Sequence, residues 1–415
     1  MQTKRYRSLP NSALTAGQDK RRTVFLEPSW RLHFTWNHMM GSPPSGYEFA
    51  VAPSTSEMLF KAASRWTMAY RLLNAVDGVI PAVLVKSWLD RRRKVPSGAA
   101  LTYAHGHLIF RPEPWVVEVE YASLLLGPHP KHLRRFQGAL ERMLASPYCK
   151  KILCWSEAGR RTVLSGLNSE RFQHKVEVFP HAVPPKRLAK EYEAGKVKLL
   201  FVGSGKIMGH FVEKGGREVL ETFALLRQRY DNLELVIRSD MPPEDKARAS
   251  SMEGVRIMDS VIPWEVLEQE FQSADIFILP SHSTPPFTIL DAMSYELPLV
   301  STKAWANGEL VEDGKTGLLV EPSKKVPYYY GNTCHPNYGT AQFNEAIRVP
   351  DLEVVDGLAK RVSLLIGNPE LRRRLGRAGR YEVEAGKFSL AIQNQKLKRI
   401  FDDATAGDGG SAAGR

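Results

Sequence analysis

DIFILPSHSTPPFTILDAMSYELPLVST, residues 275–302, holds one complete strand–helix–strand unit. The apolar run DIFILP is too short for a helix and reads as a buried strand. A proline-rich loop follows. A helix then opens at Thr288, carries Asp291, and is ended by Pro298 before the apolar strand LPLVST. Backbone N–H groups and the positive dipole end at such a helix start suit a phosphate. Chemistry on a phosphate-bearing substrate usually also needs a positioned carboxylate. The loop His282-Ser283-Thr284-Pro285-Pro286 contains none.

Working outward, the same alternation recurs. KLLFVG (198–203), LELVIRS (233–239) and DIFILP (275–280) read as strands, and GREVLETFALLRQRY (216–230) and WEVLEQEFQSA (264–274) as helices between them. An earlier series has strands TVFLEP (23–28), ALTYAHG (100–106), WVVEVEY (115–121), KILCWS (151–156) and VEVFPHAV (176–183), with helices over 130–145 and 157–167. Alternation of this kind implies parallel sheets with helices on both faces. The charged, proline-containing stretch 184–196 separates the two series and reads as a linker. The expected fold class is therefore α/β, with two doubly wound Rossmann-like domains, 23–183 and 197–380, facing a cleft. Residues 324–350, rich in Tyr, Gly and Pro, read as an inserted loop, and 381–403 as a C-terminal helical segment.

The chain has 415 residues, 43% hydrophobic and 25% charged, long enough for two or three cores. Its net charge is +12. Residues 1–22 hold six Lys/Arg against one Asp, a surplus of +5, and KSWLDRRRK (86–94) has five basic residues against one acid, +4. A disordered basic tail over 1–22, a second tail over 404–415 and a solvated helix end account for such charge; an anionic membrane face is the sharper alternative. Nucleic acid is not expected, because no helix-turn-helix or stacking-aromatic motif accompanies the charge. The polar start and the lack of an apolar run near the ~18 residues needed to cross a bilayer point to a cytoplasmic protein, with peripheral contact at the inner membrane face as the alternative. Cys149, Cys154 and Cys334 form no C-x-x-C pair, which argues against a zinc ribbon or a disulfide framework. The pair His105 and His107 has no evident third ligand for a metal.

Candidate chemistry gathers after strands. In LFVGSGKIMGHFVEKGGREVLETF (200–223), glycines permit close approach of a phosphate and Lys214 sets a cation at a helix start, although neither a Walker loop nor G-x-G-x-x-G is present. His105 and His107 stand at the end of one N-terminal strand, and Glu118 and Glu120 share a face near the end of the next. PKHLRRFQGALERMLA (130–145) places Leu133, Phe136, Leu140, Met143 and Leu144 on one face, with Lys131, Arg134 and Arg135 near its start. That is the pattern of a core helix with a wet face, or of a helix lying on a membrane.

The ordered series FVG, a lysine–glycine helix start, ADIFILPS, ILDAM, ELPLVST, NGELVEDGKTGLLVEPS, NPELRRRLGRAGR and KFS resembles the C-terminal half of the family 4 retaining glycosyltransferases (glycosyl transferases group 1) of GT-B fold. The resemblance covers about residues 198–403; ILCWSEAGRRTVL and VFPHAVP match the N-terminal half more loosely. It implies transfer of a sugar from a nucleotide-sugar donor in the C-terminal domain to a glycan, lipid-linked or small-molecule acceptor in the N-terminal one. It implies retention of anomeric configuration, and neither cofactor nor metal. The donor positions it implies are Gly203, Ser204, Lys214, Arg217, Phe287, Thr288 and Asp291; the catalytic candidates are His105, Glu120 and Ser283. Two departures stand out. Ser204 replaces the usual Arg after FVG, leaving Lys206 or Arg217 to substitute. The family's pair of glutamates, one in the loop and one on the helix, becomes Ser283 and Asp291. A catalytically weak, glycosyltransferase-like binding or scaffold protein is the alternative these departures suggest.

Overall fold

Trp115–Val119 (β4), WVVEV, is buried along its whole length, as a strand covered on both faces must be. Trp115, Val117 and Val119 pack with Leu133, Leu140 and Leu144 of the helix Lys131–Ala145. Val116, on the opposite face, packs with Leu397, Ile400 and Phe401 of the helix Leu390–Thr405. The computed structural model describes residues 21–28, 34–51, 80–127, 130–188, 195–204, 209–258 and 261–406. Of the expected tails over 1–22 and 404–415, residues 1–20 and 407–415 lie outside them, as do residues 189–194 of the linker and Lys206; Arg22 instead begins the first strand, and Ala404 and Thr405 end the last helix, where Ala404 joins the core.

Among the described residues the chain forms two parallel sheets of six strands each, so the expected α/β class with two doubly wound domains is what is found. The first comprises β1 (Arg22–Pro28), β2 (Tyr47–Val51), β3 (Ala99–His105), β4, β5 (Cys149–Cys154) and β6 (Val176–Val178), in the order β2-β1-β3-β4-β5-β6. The second comprises β7 (Val197–Val202), β8 (Leu233–Arg238), β9 (Val255–Met258), β10 (Ile276–Leu279), β11 (Leu299–Thr302) and β12 (Gly317–Val320), in the order β12-β11-β10-β7-β8-β9. In this second sheet the chain winds one way from β7 to β9 and the other way from β10 to β12. The reversal lies between β7 and β10, which pair directly. Ligands in such sheets bind outside the carboxyl ends of strands at the reversal. The loops leaving β7 and β10 are those carrying Lys214 and Ser283.

Several boundaries differ from the sequence reading. β4 ends at Val119, so Glu120 and Tyr121 lie beyond it. β6 ends at Val178; Pro180 soon after has no N–H to offer a ladder. The helix expected to open at Thr288 spans Pro286–Ser294, because Pro fits a first helical position, where its missing N–H costs nothing. β2 and β9 are short, partly exposed edge strands with no continuous apolar run, and the sequence pattern does not mark them. The insert contains the helix Ala341–Ala346 over a small cluster of Val326, Phe343 and Ile347.

After the helix Pro369–Glu384 the chain crosses back to the first domain. That helix lies hard against the loop after Pro286–Ser294: a Cβ on Gly376 would come within 2.1 Å of the Glu296 carbonyl oxygen. The final helix, Leu390–Thr405, covers the face of the first sheet opposite Lys131–Ala145. Its Phe401 meets three rings edge-on, Tyr47 at 5.1 Å, Phe49 at 6.1 Å and Tyr103 at 6.1 Å. Asp402 accepts from the Tyr47 hydroxyl at 2.7 Å and pairs with Arg22. Phe401→Ala is therefore expected to destabilise the first domain by ~3–5 kcal/mol, the usual cost of emptying a phenylalanine site. Denaturant unfolding of the full chain checks this, and an unchanged midpoint would show that the helix adds nothing to that core.

Candidate active site at the domain cleft

The two loops at the strand reversal meet through one hydroxyl. Lys214 Nζ donates to Ser283 Oγ at 2.7 Å, and Ser283 Oγ donates to Glu213 Oε1 at 2.5 Å. Lys214 Nζ also lies 3.3 Å from the same carboxylate oxygen. Close approach of the loops needs Gly215: its φ is 79°, and a Cβ there would fall 2.3 Å from the Pro280 carbonyl oxygen. The β10 loop is clamped from the other side. His282 N donates to the Glu213 carbonyl at 2.9 Å. The buried His282 ring lies 3.0 Å from Glu218 Oε1 and 3.1 Å from the Tyr328 hydroxyl, which belongs to the insert. The carboxylate missing from the loop is thus supplied by Glu213, the last residue of the short helix Gly209–Glu213. Burial alone would raise the Glu213 carboxyl, but the charge of Lys214 and the Ser283 hydrogen bond hold it below its usual value.

Across the cleft stands Glu120, just past the end of β4. Among the described residues no side chain hydrogen-bonds its carboxylate. Burial, with the Glu213 charge adding, pushes it up to about 7 against the opposing charges of Lys214 and His105. Glu118 is different in kind. It accepts from the Tyr103 hydroxyl at 2.6 Å and lies 2.5 Å from His105 Nδ1. Burial would raise its carboxyl, but the hydrogen bond and charge of His105 bring it down to about 2. His107 belongs to a buried cluster with Glu27 and Arg111 instead, so of the two histidines it is His105 that looks toward the cleft. The His105 ring stacks on Trp155 at 5.7 Å, Trp155 meets His181 at 4.2 Å, and His181 meets Phe287 at 4.3 Å. This row of rings joins β3 of the first domain to the helix Pro286–Ser294 of the second.

Two cavities flank the start of that helix. One, about 460 Å³, reaches it at Thr284 and Pro286 and is lined by Glu120, Trp155, His181 and Trp305. The other, about 510 Å³, reaches it at Thr288 and Asp291 and extends past Gly203 to Arg238, Trp264, Lys186 and His38. Burial raises the Asp291 carboxyl to about 6, against the charge of Lys186. Arg238 donates to the Gly203 carbonyl at 3.0 Å, while its buried Nε has no partner among the described residues.

The structure therefore gathers Gly203, Thr288 and Asp291 at one cavity and Glu120 at the other, with His105 and Phe287 joined by the row of rings and Lys214 held to Ser283. Ser204 stays at the end of the β7 loop, its carbonyl accepting from Asp240 N at 2.7 Å. Arg217 is not brought in. Its guanidinium is held by Asp245 at 2.9 Å and by Glu244 at 3.0 Å on the outer side of its helix, so it cannot supply the cation that Ser204 lacks. Arg238 is better placed for that. The sequence reading passed over it, though a cation closing the apolar run LVI of the strand LELVIR is the signal that marks it. It also passed over Glu213, Trp155 and Trp305, whose neighbours come from distant parts of the chain.

Residues 196–328, within the second domain, match the family model described as Glycosyl transferases group 1. The chain is 25% identical over 232 residues to a D-inositol 3-phosphate glycosyltransferase of Arthrobacter sp. (strain FB24), covering 51% of this chain and 53% of that one. It is also 25% identical over 194 residues to an alpha-D-kanosaminyltransferase of Streptomyces kanamyceticus, covering 46% and 42%. The chain spans about half the length of the curated relatives it matches. Among solved structures it is similar to Anabaena HepE in complex with UDP and glucose, with TM-score 0.56 at 12% identity, over 92% of this chain and 99% of that one. At that identity the likeness concerns the fold: the two facing domains are the GT-B arrangement.

The half-buried Glu120 carboxyl makes a pH prediction. Unfolded, it titrates near 4.5; folded, near 7. Between those values the native protein keeps a proton that the unfolded chain has released, so this group's contribution falls as pH rises from 4.5 to 7 and stays low above. Glu120→Gln removes the titration. Its Tm should exceed that of the parent by a larger margin at pH 8 than at pH 5; equal margins would mean that Glu120 is not forced to ionise in the fold.

Proposed function

We propose that the protein is a glycosyltransferase that moves a sugar from a nucleoside diphosphate donor to an acceptor hydroxyl, with retention of anomeric configuration. The observation that carries the reading is the meeting of Lys214 with the β10 loop, through Ser283, at the strand reversal between two cavities. The nucleoside occupies the cavity of Trp264 and Arg238, with Asp291 accepting from ribose hydroxyls. The diphosphate lies at the first turn of Pro286–Ser294, against the N–H groups of Phe287 and Thr288, with Lys214 as its cation. The sugar then faces the cleft, between Glu213 and Glu120.

In the transfer, the acceptor oxygen bonds to the anomeric carbon as the bond from that carbon to the diphosphate oxygen breaks. The electron pair leaves with the diphosphate, whose negative charge Lys214 and the helix start are placed to meet. Retention puts the incoming hydroxyl on the face the diphosphate leaves, so the hydroxyl proton passes to the departing oxygen. Glu120 and His105 hold sugar and acceptor hydroxyls, and Glu213 offers the negative charge that favours a positive anomeric carbon. Ser283 contributes by fixing Glu213 and Lys214 at one distance. The exposed cations Lys131, Arg134 and Arg135 support an anionic membrane face as a peripheral partner.

Thermal-shift and calorimetric titration with nucleoside diphosphate sugars tests the donor site. Lys214→Ala and Asp291→Ala should each weaken binding by about tenfold or more, since a hydrogen bond to a charged group is worth ~1.5–3 kcal/mol. Full affinity in both variants would remove them from the site. Ser283→Glu sets a second carboxylate against Glu213 and should lower donor affinity, while Glu213→Ser combined with Ser283→Glu should recover it. A double variant no better than the single one would mean that the two positions do not exchange roles. Donor binding without turnover on any acceptor would favour a binding protein instead.

A further inference from the structure

The cavity on the Glu120 side has walls unlike those of the donor cavity. Trp155 from the first domain and Trp305 from the second line it, with His181 and Phe388. Trp305 is held at φ 47°, a left-handed conformation that is unfavourable for a residue with a Cβ and that glycine adopts freely. Strain of this kind persists where the side chain is used. The Trp305 ring is propped by Tyr329 at 5.8 Å and Tyr338 at 6.2 Å, both from the insert.

The charges in this cavity are Glu120, Glu309, Glu312 and Lys387, with His181 beside them. Three are already spoken for. The Glu309 carboxylate accepts from the backbone N–H of Glu157 at 2.5 Å and of Ala158 at 2.8 Å, at the start of the facing helix. Lys387 Nζ donates to the Glu309 carbonyl at 2.7 Å, and Glu312 pairs with Lys315 at 2.8 Å. Glu120 remains, with no hydrogen-bond partner among the described residues.

We infer that this cavity takes the acceptor, and that the acceptor is an uncharged or amine-bearing polyol ring, a sugar or a cyclitol, and not a phosphorylated one. A polyol ring presents an apolar C–H face, which lies flat on an indole and buries area there, and a rim of hydroxyls, which donate to a carboxylate. Two indoles and one open carboxylate match both aspects. A phosphate would bring further negative charge into a lining that holds three carboxylates, Glu120, Glu309 and Glu312, against the ammonium of Lys387, and like charges in a partly buried site repel strongly. An ammonium group would be attracted instead. Naming the ring as acceptor rests on the glycosyl-transfer reading; its binding does not.

Ligand-observed saturation-transfer NMR on the full chain at pH 8, without donor, tests the inference. The probes are methyl α-glucopyranoside, glucosamine and myo-inositol, set against glucose 6-phosphate and inositol 3-phosphate. The first three should bind, and the phosphorylated rings more weakly by about tenfold or more, the equivalent of ~1.4 kcal/mol. Trp305→Gly removes the ring while relieving the backbone, so it should abolish ring binding; a circular-dichroism spectrum like that of the parent at the assay temperature shows that the ring and not the fold has been lost. Glu312→Lys, at an exposed position, should narrow the gap between phosphorylated and plain rings. Phosphorylated rings that bind as well as plain ones, or plain rings whose binding survives Trp305→Gly, would overturn the inference. Binding of UDP, GDP, ADP and dTDP read in the same samples keeps the two proposals apart: ring binding without binding of any of these nucleotides supports this one and overturns the donor reading.

Discussion

The Ser283 hydroxyl is the contact on which the cleft depends. It accepts from Lys214 and donates to Glu213, so a cation and an anion from one loop are fixed against the loop of another strand. A carboxylate in place of Ser283 could still accept from Lys214, but it would meet the like charge of Glu213. The short distance is available because Gly215 lets the two backbones touch, and because the sheet reverses its winding between β7 and β10. A serine is thus the small group that fits between two larger ones. The carboxylate that the loop lacks in sequence has a counterpart beside it in the fold, on another element.

The first domain completes the site by burial more than by bonding. Glu120 has no hydrogen-bond partner among the described residues and faces Lys214 and Glu213 across the gap, so its charge state depends on how closely the second domain approaches. Several contacts keep that approach close. Glu309 receives the N–H groups at the start of the helix Glu157–Leu164, and Tyr338 of the insert meets Tyr121 at 6.4 Å. The Cys334 Sγ reaches the Arg161 carbonyl of that same helix at 3.6 Å. The insert therefore acts as a wall of the cleft, and its tyrosines serve the site while belonging to no strand or helix of the sheet framework.

The strands of both sheet centres were legible because burial on two faces leaves unbroken apolar runs, as in IFIL and WVVEV. Lys214 and Asp291 were legible as donor candidates because each stands on a helix-turn after such a run. Edge strands such as YEFAV were not, since their partly exposed positions erase the pattern. Glu213 was hidden for a different reason. Its role follows from a hydrogen bond across 70 residues of chain, and no local spacing encodes that. Arg217 shows the converse: a cation at a helix start reads as a phosphate ligand until the helix's rotation aims it at Asp245. Trp155 and Trp305 meet at one cavity through the fold of two domains, and neither lies in a motif that sequence alone would connect.

The return of the last helix to the first domain has a consequence for how the halves are built. The chain passes between them twice, after Val183 and again between Glu384 and Leu390, and the final helix is anchored through Phe401. Neither half is thus one contiguous stretch of sequence: Leu397, Ile400 and Phe401, which follow the whole second domain along the chain, fill the core of the first. The first sheet keeps one face uncovered until those late residues arrive.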